Sequence, residues 1–597
     1  MVDRVRIGGH VRPFLEVGQR SAKVTDLIER AVNWANSDPD QRTRQELLEL
    51  VEKGDLETLA EIMGATLEFG TAGIRGAVGP GSNQMNRAVV IRTSRGLADF
   101  LIQRAGGIPE APVIIGFDAR PTSRQFAEDA AAVIAGSGMR VLYFDDVTPT
   151  PLVAFTARYL KAVAAVVVTA SHNPPQDNGY KVYDSNAAQI IPPVDTDIAQ
   201  AIEEVGPANE VERVAEPFSG HNDLIQTVPD GIVDAYWAEV SANRPIEPET
   251  TVRIVYTPLH GVGSETLLDI FGRTVHRDIT AVPEQRDPDG SFPTVAFPNP
   301  EEPGALDLAM DLAREIEADL VIGNDPDADR LAAAVRWRDG WRLLTGNELG
   351  VILGSYILRN WRHSETPITG CSVVSSPMLS QISEEAGAVH LTTLTGFKWI
   401  ANAAMAAERE GKGVFAFGYE EALGYTVGQT VRDKDGISAA LLLADVAALE
   451  RGRDRSLLDV LADLWIDHGI WVSTQKSITR PGEKGQTELV SAVEHIAAET
   501  PSSVGGLDVS SMTDYRVGSD QRPPWLGEQD LIELTLGDRG RILVRPSGTE
   551  PKLKIYVDLR APVEDSSAIH AQRDDLLEQA DSMGAAVEQL LTDFLDA

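Results

Sequence analysis

From Pro112 onward, short β-branched runs alternate with amphipathic stretches, and few architectures tolerate that pattern. Val113 to Phe117, Val141 to Phe144 and Ala162 to Val168 read as buried strands, separated by helical segments over Gln125 to Ala135 and Leu152 to Lys161. Such alternation predicts a mainly parallel sheet with right-handed crossovers. The scheme returns twice. Val252 to Tyr256 and Asp319 to Ile322 flank a helix over Leu306 to Ile316. Later, Cys371 to Val374, His390 to Leu394 and Val414 to Phe417 are extended between helices over Asn347 to Arg359, Met378 to Ala386 and Phe397 to Glu410, with Gly436 to Arg451 closing the series. The fold class predicted is three tandem, related α/β units.

The pattern changes after about Val472. A helix over Glu488 to Glu499 with Thr487 as N-cap, an antiparallel pair over Leu531 to Leu536 and Arg541 to Val544, a strand over Lys552 to Leu559 and a helical tail over Ser567 to Leu595 predict an α+β domain. A chain of 597 residues exceeds one core. We place boundaries at 1–228 (with a helical extension at 1–66), 229–343, 344–472 and 473–597.

A net charge of −37 sets nucleic acid and anionic membranes aside as partners, because repulsion opposes encounter. One cysteine, Cys371, rules out a disulfide framework. No run approaches the ~20 apolar residues of a membrane span, and the amino terminus lacks a secretory signal, so a cytoplasmic protein is expected.

Chemistry is concentrated in loops that follow strands, where open α/β sheets hold their sites. Thr169 to Tyr183 presents Ser171 just past a strand end, on a segment constrained by Pro174, Pro175 and the Asn178-Gly179 turn. Asp325, Asp327 and Asp329 alternate after Gly323 and would repel one another unless a hard divalent cation sat at their focus, which suits Mg²⁺. An EF-hand fails, since Arg330 stands at the sixth position and Arg336 at the twelfth. An aspartyl-nucleophile phosphatase, with Asp325 attacking and Asp327 as acid, stays open, as does a solvated acidic turn. Glu420 and Glu421 suit vicinal hydroxyls or simple loop exposure. Arg75, in a glycine-rich loop, is an anion contact or a solvated arginine. Arg545, Ser547, Gly548 and Thr549 form a phosphate cradle; Lys552 and Lys554 either add charge to it or are solvated lysines alternating on an exposed strand face.

Together, Gly70 to Arg75, Thr169 to Pro174, Asp325 to Arg330, Gly418 to Ala422 and Arg545 to Thr549 resemble, in order and spacing, the α-D-phosphohexomutase superfamily. The resemblance implies four domains around one cleft, the last TATA-binding-protein-like. It implies that Ser171 is a phosphoserine, that Ser171, Asp325, Asp327 and Asp329 bind Mg²⁺, and that Arg75, His172 and Lys181 assist proton and phosphoryl transfer. Arg330, Gly396 and Lys398 of the Thr395 to Lys398 loop, and Glu420 or Glu421, would contact sugar. Arg545, Ser547, Gly548, Thr549 and Lys554 would hold the non-reacting phosphate. The implied reaction exchanges a sugar 1-phosphate with its 6-phosphate through a bisphosphate such as glucose 1,6-bisphosphate, in a monomer or homodimer. Many members carry Ser two residues after the sugar-loop Glu, where this chain has Ala422 or Leu423, depending on which glutamate is matched. Trp34 to Arg44 and Glu420 to Gly424 look like the type-2 phosphoglucomutase and phosphopentomutase branch. Glucose phosphates are the expected substrates, with mannose and pentose phosphates as alternatives, and a sugar phosphatase or a silent sugar-phosphate sensor as more distant ones.

Overall fold

The computed structural model describes residues 15–70, 73–220, 222–480, 482–547 and 552–596. Three mixed sheets repeat one device. In the first, Val113–Phe117, Val141–Tyr143, Ala164–Val168 and Ile225–Thr227 are parallel, and Asp177–Tyr183 returns antiparallel beside Ala164–Val168. In the second, Ile254–Thr257, Ile279–Ala281 and Leu320–Gly323 are parallel, and Ala332–Trp337 returns antiparallel beside Leu320–Gly323. In the third, Pro367–Ser372, Val389–Thr393 and Val414–Glu420 are parallel, and Gly424–Val427 returns antiparallel beside Val414–Glu420. The connection turning a parallel strand into its antiparallel neighbour is, in each sheet, the loop carrying the sequence's most unusual residues: 169–176, 324–331 and 421–423. A hairpin at a strand's carboxyl end leaves side chains facing the space beyond the sheet edge.

The return strands Ala332–Trp337 and Gly424–Val427 were not anticipated. Ala332 to Ala334 carries no β-branched signal, and strand pairing on a buried sheet overrides that weak propensity. Beyond the third unit lies a five-stranded antiparallel sheet, ordered Ile470–Thr479, Lys552–Ala561, Gly540–Pro546, Ile532–Thr535, Ser511–Asp514, with helices Gly482–Ala498 and Ile569–Leu595 packed on it. Its helix starts before the expected N-cap: Thr487 lies inside Gly482–Ala498. The amino-terminal helices Leu15–Ser37, Gln41–Lys53 and Leu56–Met63 dock on the first unit through Trp34, which packs with Ala88, Ile91, Val133 and Ala208.

One continuous apolar core runs from Ile114 and Phe155 in the first unit, through Tyr256 and Ile352, to Ile555 and Leu591 in the last. The four units therefore share one apolar core. Among the described residues no helix is long and apolar enough to cross a membrane.

Candidate active site

Ser171 and the aspartate loop meet. Ser171 Oγ donates to Asp325 Oδ2 at 2.8 Å across 154 positions of sequence, and lies 3.2 Å from His172 Nδ1. Asp325, Asp327 and Asp329 are each fully buried, with ligand oxygens within 4.8 Å of one another. Lys181 Nζ donates to Asp327 Oδ2 at 2.6 Å and to Asp329 Oδ2 at 3.0 Å, and Lys434 Nζ stands 3.1 Å from Asp329 Oδ2. Burial, and then the charges of Asp327 and Asp329, push the Asp325 carboxyl well above the usual range. Against the same desolvation, Lys181, Lys434 and Arg330 hold Asp329 below it. Burial favours neutral Lys181, yet the two carboxylates outweigh it and keep the ammonium charged. Desolvation, then the positive charges of Arg330 and Arg75, drive His172 well below its ordinary value, so its imidazole is neutral at pH 7.

Each of the three loops contains a non-glycine residue in the left-handed region: Ser171 (φ +52°), Ala328 (φ +58°) and Leu423 (φ +62°). Such conformations cost on the order of 1–3 kcal/mol and persist where surroundings over-determine them. Around Ser171 the determinant is Arg120. Its Nη2 donates to the carbonyls of Ser171 (2.8 Å) and Asn173 (2.6 Å), its Nη1 to those of Pro174 (2.6 Å) and Asp177 (2.9 Å), and its Nε to Asp118 Oδ2 (3.1 Å). Asp118 also accepts from Thr169 Oγ1, which in turn accepts from the Ser171 N–H. From the second unit, Phe292 stacks 5.1 Å from the Arg120 guanidinium. Behind the aspartate loop, Gly261 allows contact no side chain would permit, since a Cβ there would meet Pro326 Cα at 2.4 Å.

The remaining predicted residues that the structure describes come from all four units. Arg75 Nη1 donates to Asn173 Oδ1 at 3.0 Å. Arg330 is largely buried; its Nε takes no hydrogen bond, and its guanidinium lies 3.9–4.0 Å from Glu301, Asp325 and Asp329. The aspartate and glutamate loops are joined through backbone, with the Leu331 N–H donating to the Leu423 carbonyl at 3.0 Å. Glu420 Oε1 accepts from the Gly396 N–H at 2.7 Å, while Glu421 Oε2 accepts from Ser372 and Ser375 hydroxyls at 3.1 and 3.2 Å. Burial, eased by Glu420, Asp195 and Asp433, brings Lys398 down to about 8. Arg545 is the penultimate residue of the strand Gly540–Pro546; its buried Nε has no hydrogen-bond partner among the described residues, and the Ser547 N–H donates to the Lys552 carbonyl at 2.7 Å. Burial raises the Glu301 carboxyl above its usual range, opposed by the charge of Arg330 and, more weakly, by that of Lys554. Gly548 and Thr549 lie outside the described residues.

Sequence reasoning missed three residues here. Arg120 acts through carbonyls, which no side-chain motif advertises; the one available signal was its place on a loop following a strand. Thr150, opening the helix Thr150–Tyr159, donates from its hydroxyl to Asp327 Oδ2 at 2.7 Å and from its N–H to the Asp327 carbonyl at 3.0 Å. Lys434 arrives from the third unit, and its signal was its rarity in a lysine-poor chain.

The arrangement fits a divalent ion on its own evidence. Asp327 Oδ1 and Asp329 Oδ1 are buried and accept no hydrogen bond among the described residues, and the donor set is entirely hard oxygen.

Comparison with known proteins agrees with this architecture along most of the chain. Family models described as phosphoglucomutase/phosphomannomutase alpha/beta/alpha domains I, II and III match residues 66–208, 234–337 and 345–467, and the C-terminal domain matches 506–578. The phosphopentomutase of Homo sapiens is 35% identical over 596 residues, spanning 94% of this chain and 95% of the relative. A protein of Haemophilus influenzae described as "probable phosphomannomutase" is 38% identical over 497 residues, spanning 82% and 96%. The crystal structure of a phosphoglucomutase/phosphomannomutase family protein from Burkholderia thailandensis shares the fold, with a TM-score of 0.60 at 18% identity over 85% of this chain and 95% of that one.

Proposed function

We propose that this chain, which belongs to the phosphoglucomutase/phosphomannomutase family, interconverts the 1-phosphate and terminal phosphate of a pentose, through a phosphorylated Ser171 and a bisphosphorylated sugar. The observation carrying the reaction is the 2.8 Å approach of Ser171 Oγ to Asp325 at the focus of three buried carboxylates. The pentose reading rests on the human phosphopentomutase, which aligns with this chain almost end to end, and it displaces our expectation of glucose. Hexose phosphates remain the second reading, favoured by the phosphomannomutase relative.

Ser171, Asp325, Asp327 and Asp329 would hold Mg²⁺, which would supply positive charge against the negative charge on the oxygens of the transferring phosphoryl group. The chain's own residues do the rest. Arg120 fixes the serine backbone so that Oγ faces the carboxylates. Neutral His172 is placed to take the proton of the attacking sugar hydroxyl, and Lys181, Arg75 and Arg330 surround the transferred group with donors. Glu420, Glu421, Gly396 and Lys398 orient the sugar hydroxyls. Arg545, Ser547 and Lys554, with Gly548 and Thr549, hold the phosphate that is not reacting, so the bisphosphate can turn and present its other end.

The test is turnover of ribose 1-phosphate, glucose 1-phosphate and mannose 1-phosphate by the wild type and by Ser171→Ala. Conversion of ribose 1-phosphate to ribose 5-phosphate as the preferred reaction, abolished in the variant, is the expected result. Undiminished turnover in Ser171→Ala would overturn the phosphoserine. Release of inorganic phosphate as main product would favour an aspartyl phosphatase, and tight binding without turnover a silent sensor.

A further inference from the structure

The last domain reaches over the third unit with a short clasp, Ser519 to Gln529. Arg522 stiffens it from within, donating from Nε to the Leu526 carbonyl, from Nη1 to that of Val517 and from Nη2 to those of Tyr515 and Gly527, while stacking 5.0 Å from the Tyr515 ring. Two consecutive side chains then diverge. Trp525 packs against the cluster containing Leu391, Phe397 and Ile400, and Leu526 against the one containing Val373, Val374, Leu543 and Tyr556. The Trp525 carbonyl accepts the Leu394 N–H at 2.9 Å.

That bond falls where the edge strand Val389–Thr393 ends and the Thr395 to Lys398 loop begins. Two residues on, the Gly396 N–H meets Glu420. A second grip from the same domain reaches the other glutamate: Arg541 Nη2 donates to the Ser375 carbonyl at 2.7 Å, and the Ser375 hydroxyl donates to Glu421. Glu420 and Glu421 are thus both tied, through intervening residues, to the domain carrying Arg545. Elastic slack at either grip would shift a hydroxyl-reading carboxylate relative to the phosphate cradle, and sub-ångström placement decides such contacts.

We propose that Trp525 is a positioning residue for sugar selection, acting through Leu394 and Gly396 on Glu420. This deepens the mutase reading and rests on Glu420 and the Thr395 to Lys398 loop contacting sugar. Its side chain anchors the clasp so that its carbonyl fixes the start of the sugar loop, and the spacing between the carboxylates and Arg545 then matches one sugar length better than another.

The experiment compares kcat and KM of the full-length wild type, Trp525→Ala and Trp525→Phe on ribose 1-phosphate and glucose 1-phosphate, with thermal unfolding of each. In Trp525→Ala the ratio of kcat/KM between the two sugars is expected to change about fivefold through KM, the effect of a loosened rather than deleted contact, with kcat within about twofold. Trp525→Phe, which retains an aromatic anchor, should return the ratio to the wild-type value. A merely structural role would lower the active fraction for both sugars alike, so an unchanged ratio overturns the proposal. Should the alanine variant not fold, Trp525→Leu is read against Trp525→Phe by the same ratio. A wild type inactive on every sugar phosphate overturns the mutase reading and this proposal together. An active wild type whose variants keep its ratio overturns this proposal alone.

Discussion

Arg120 carries more of the site than any residue except Ser171, although it faces no substrate. All five of its bonds end on the loop that presents Ser171 or on the aspartate behind it, and a guanidinium is the side chain whose planar fork can serve so many acceptors at once. A lysine keeps the charge but offers one nitrogen, so Arg120→Lys leaves several buried carbonyls unpaired and frees Ser171 from its left-handed conformation. On the proposed mechanism the expected outcome is a fall in kcat of about 100-fold, because a small displacement of Ser171 suffices, with little change in KM, since the residues proposed to bind sugar and distal phosphate lie in other units. Steady-state kinetics on ribose 1-phosphate check it, and equal kinetics in the variant would sink it. Arg120 also marks the limit of sequence reading at this scale. Ser171 and the aspartates were legible because the chemistry read from them lies in their own side chains and their spacing is unusual, whereas Lys181 entered only through the family resemblance. Arg120 and Thr150 work through backbone contacts that exist only once two loops have met.

At the scale of elements, the strand–loop–return hairpin occurs three times, each with a buried parallel strand, a loop with one strained residue, and an antiparallel partner. The parallel strands were legible as apolar β-branched runs. Two of the returns were not: Ala332 to Ala334 owes its conformation to its pairing partner, and Gly424 to Val427, though β-prone at Tyr425 to Val427, is a four-residue run beginning at a glycine and followed by Gly428, too short to stand out. The third hairpin yields a pH prediction through the neighbouring helix Phe397–Arg409, which carries Lys398 in its first turn beside Glu420. Burial there lowers the ammonium to about 8, so Lys398 is mostly charged at pH 7 and neutral at pH 9. If the cation contacts the sugar phosphate, KM should climb as pH rises through about 8, whereas kcat should follow other groups. Lys398→Met should show a raised, pH-independent KM between pH 7 and pH 9. A wild-type KM flat across that window would remove Lys398 from the binding site.

For the whole molecule, the question is what keeps separate units in register around one cleft when the chain carries a charge of −37. Apolar continuity does most of it, but one buried ionic cluster ties the second and third units outside the cleft. Asp445, fully buried on the helix Gly436–Arg451, accepts from Arg244 Nε and Nη2 at 2.8 Å each and lies 2.9 Å from His276 Nε2. Removing one partner strands a carboxylate in a desolvated site, so Arg244→Ala should cost about 3–5 kcal/mol. Replacing the set with apolar residues of similar volume, Arg244→Met with Asp445→Leu and His276→Phe, should recover most of that loss, because desolvation of the ions is then avoided altogether. Denaturant unfolding of the two variants separates the outcomes, and kcat/KM measured well below the transition should stay at the wild-type value in both, since none of the three residues touches the cleft loops. A triple variant as unstable as the single one would mean that the cluster specifies the orientation of the two units, a role apolar packing does not replace.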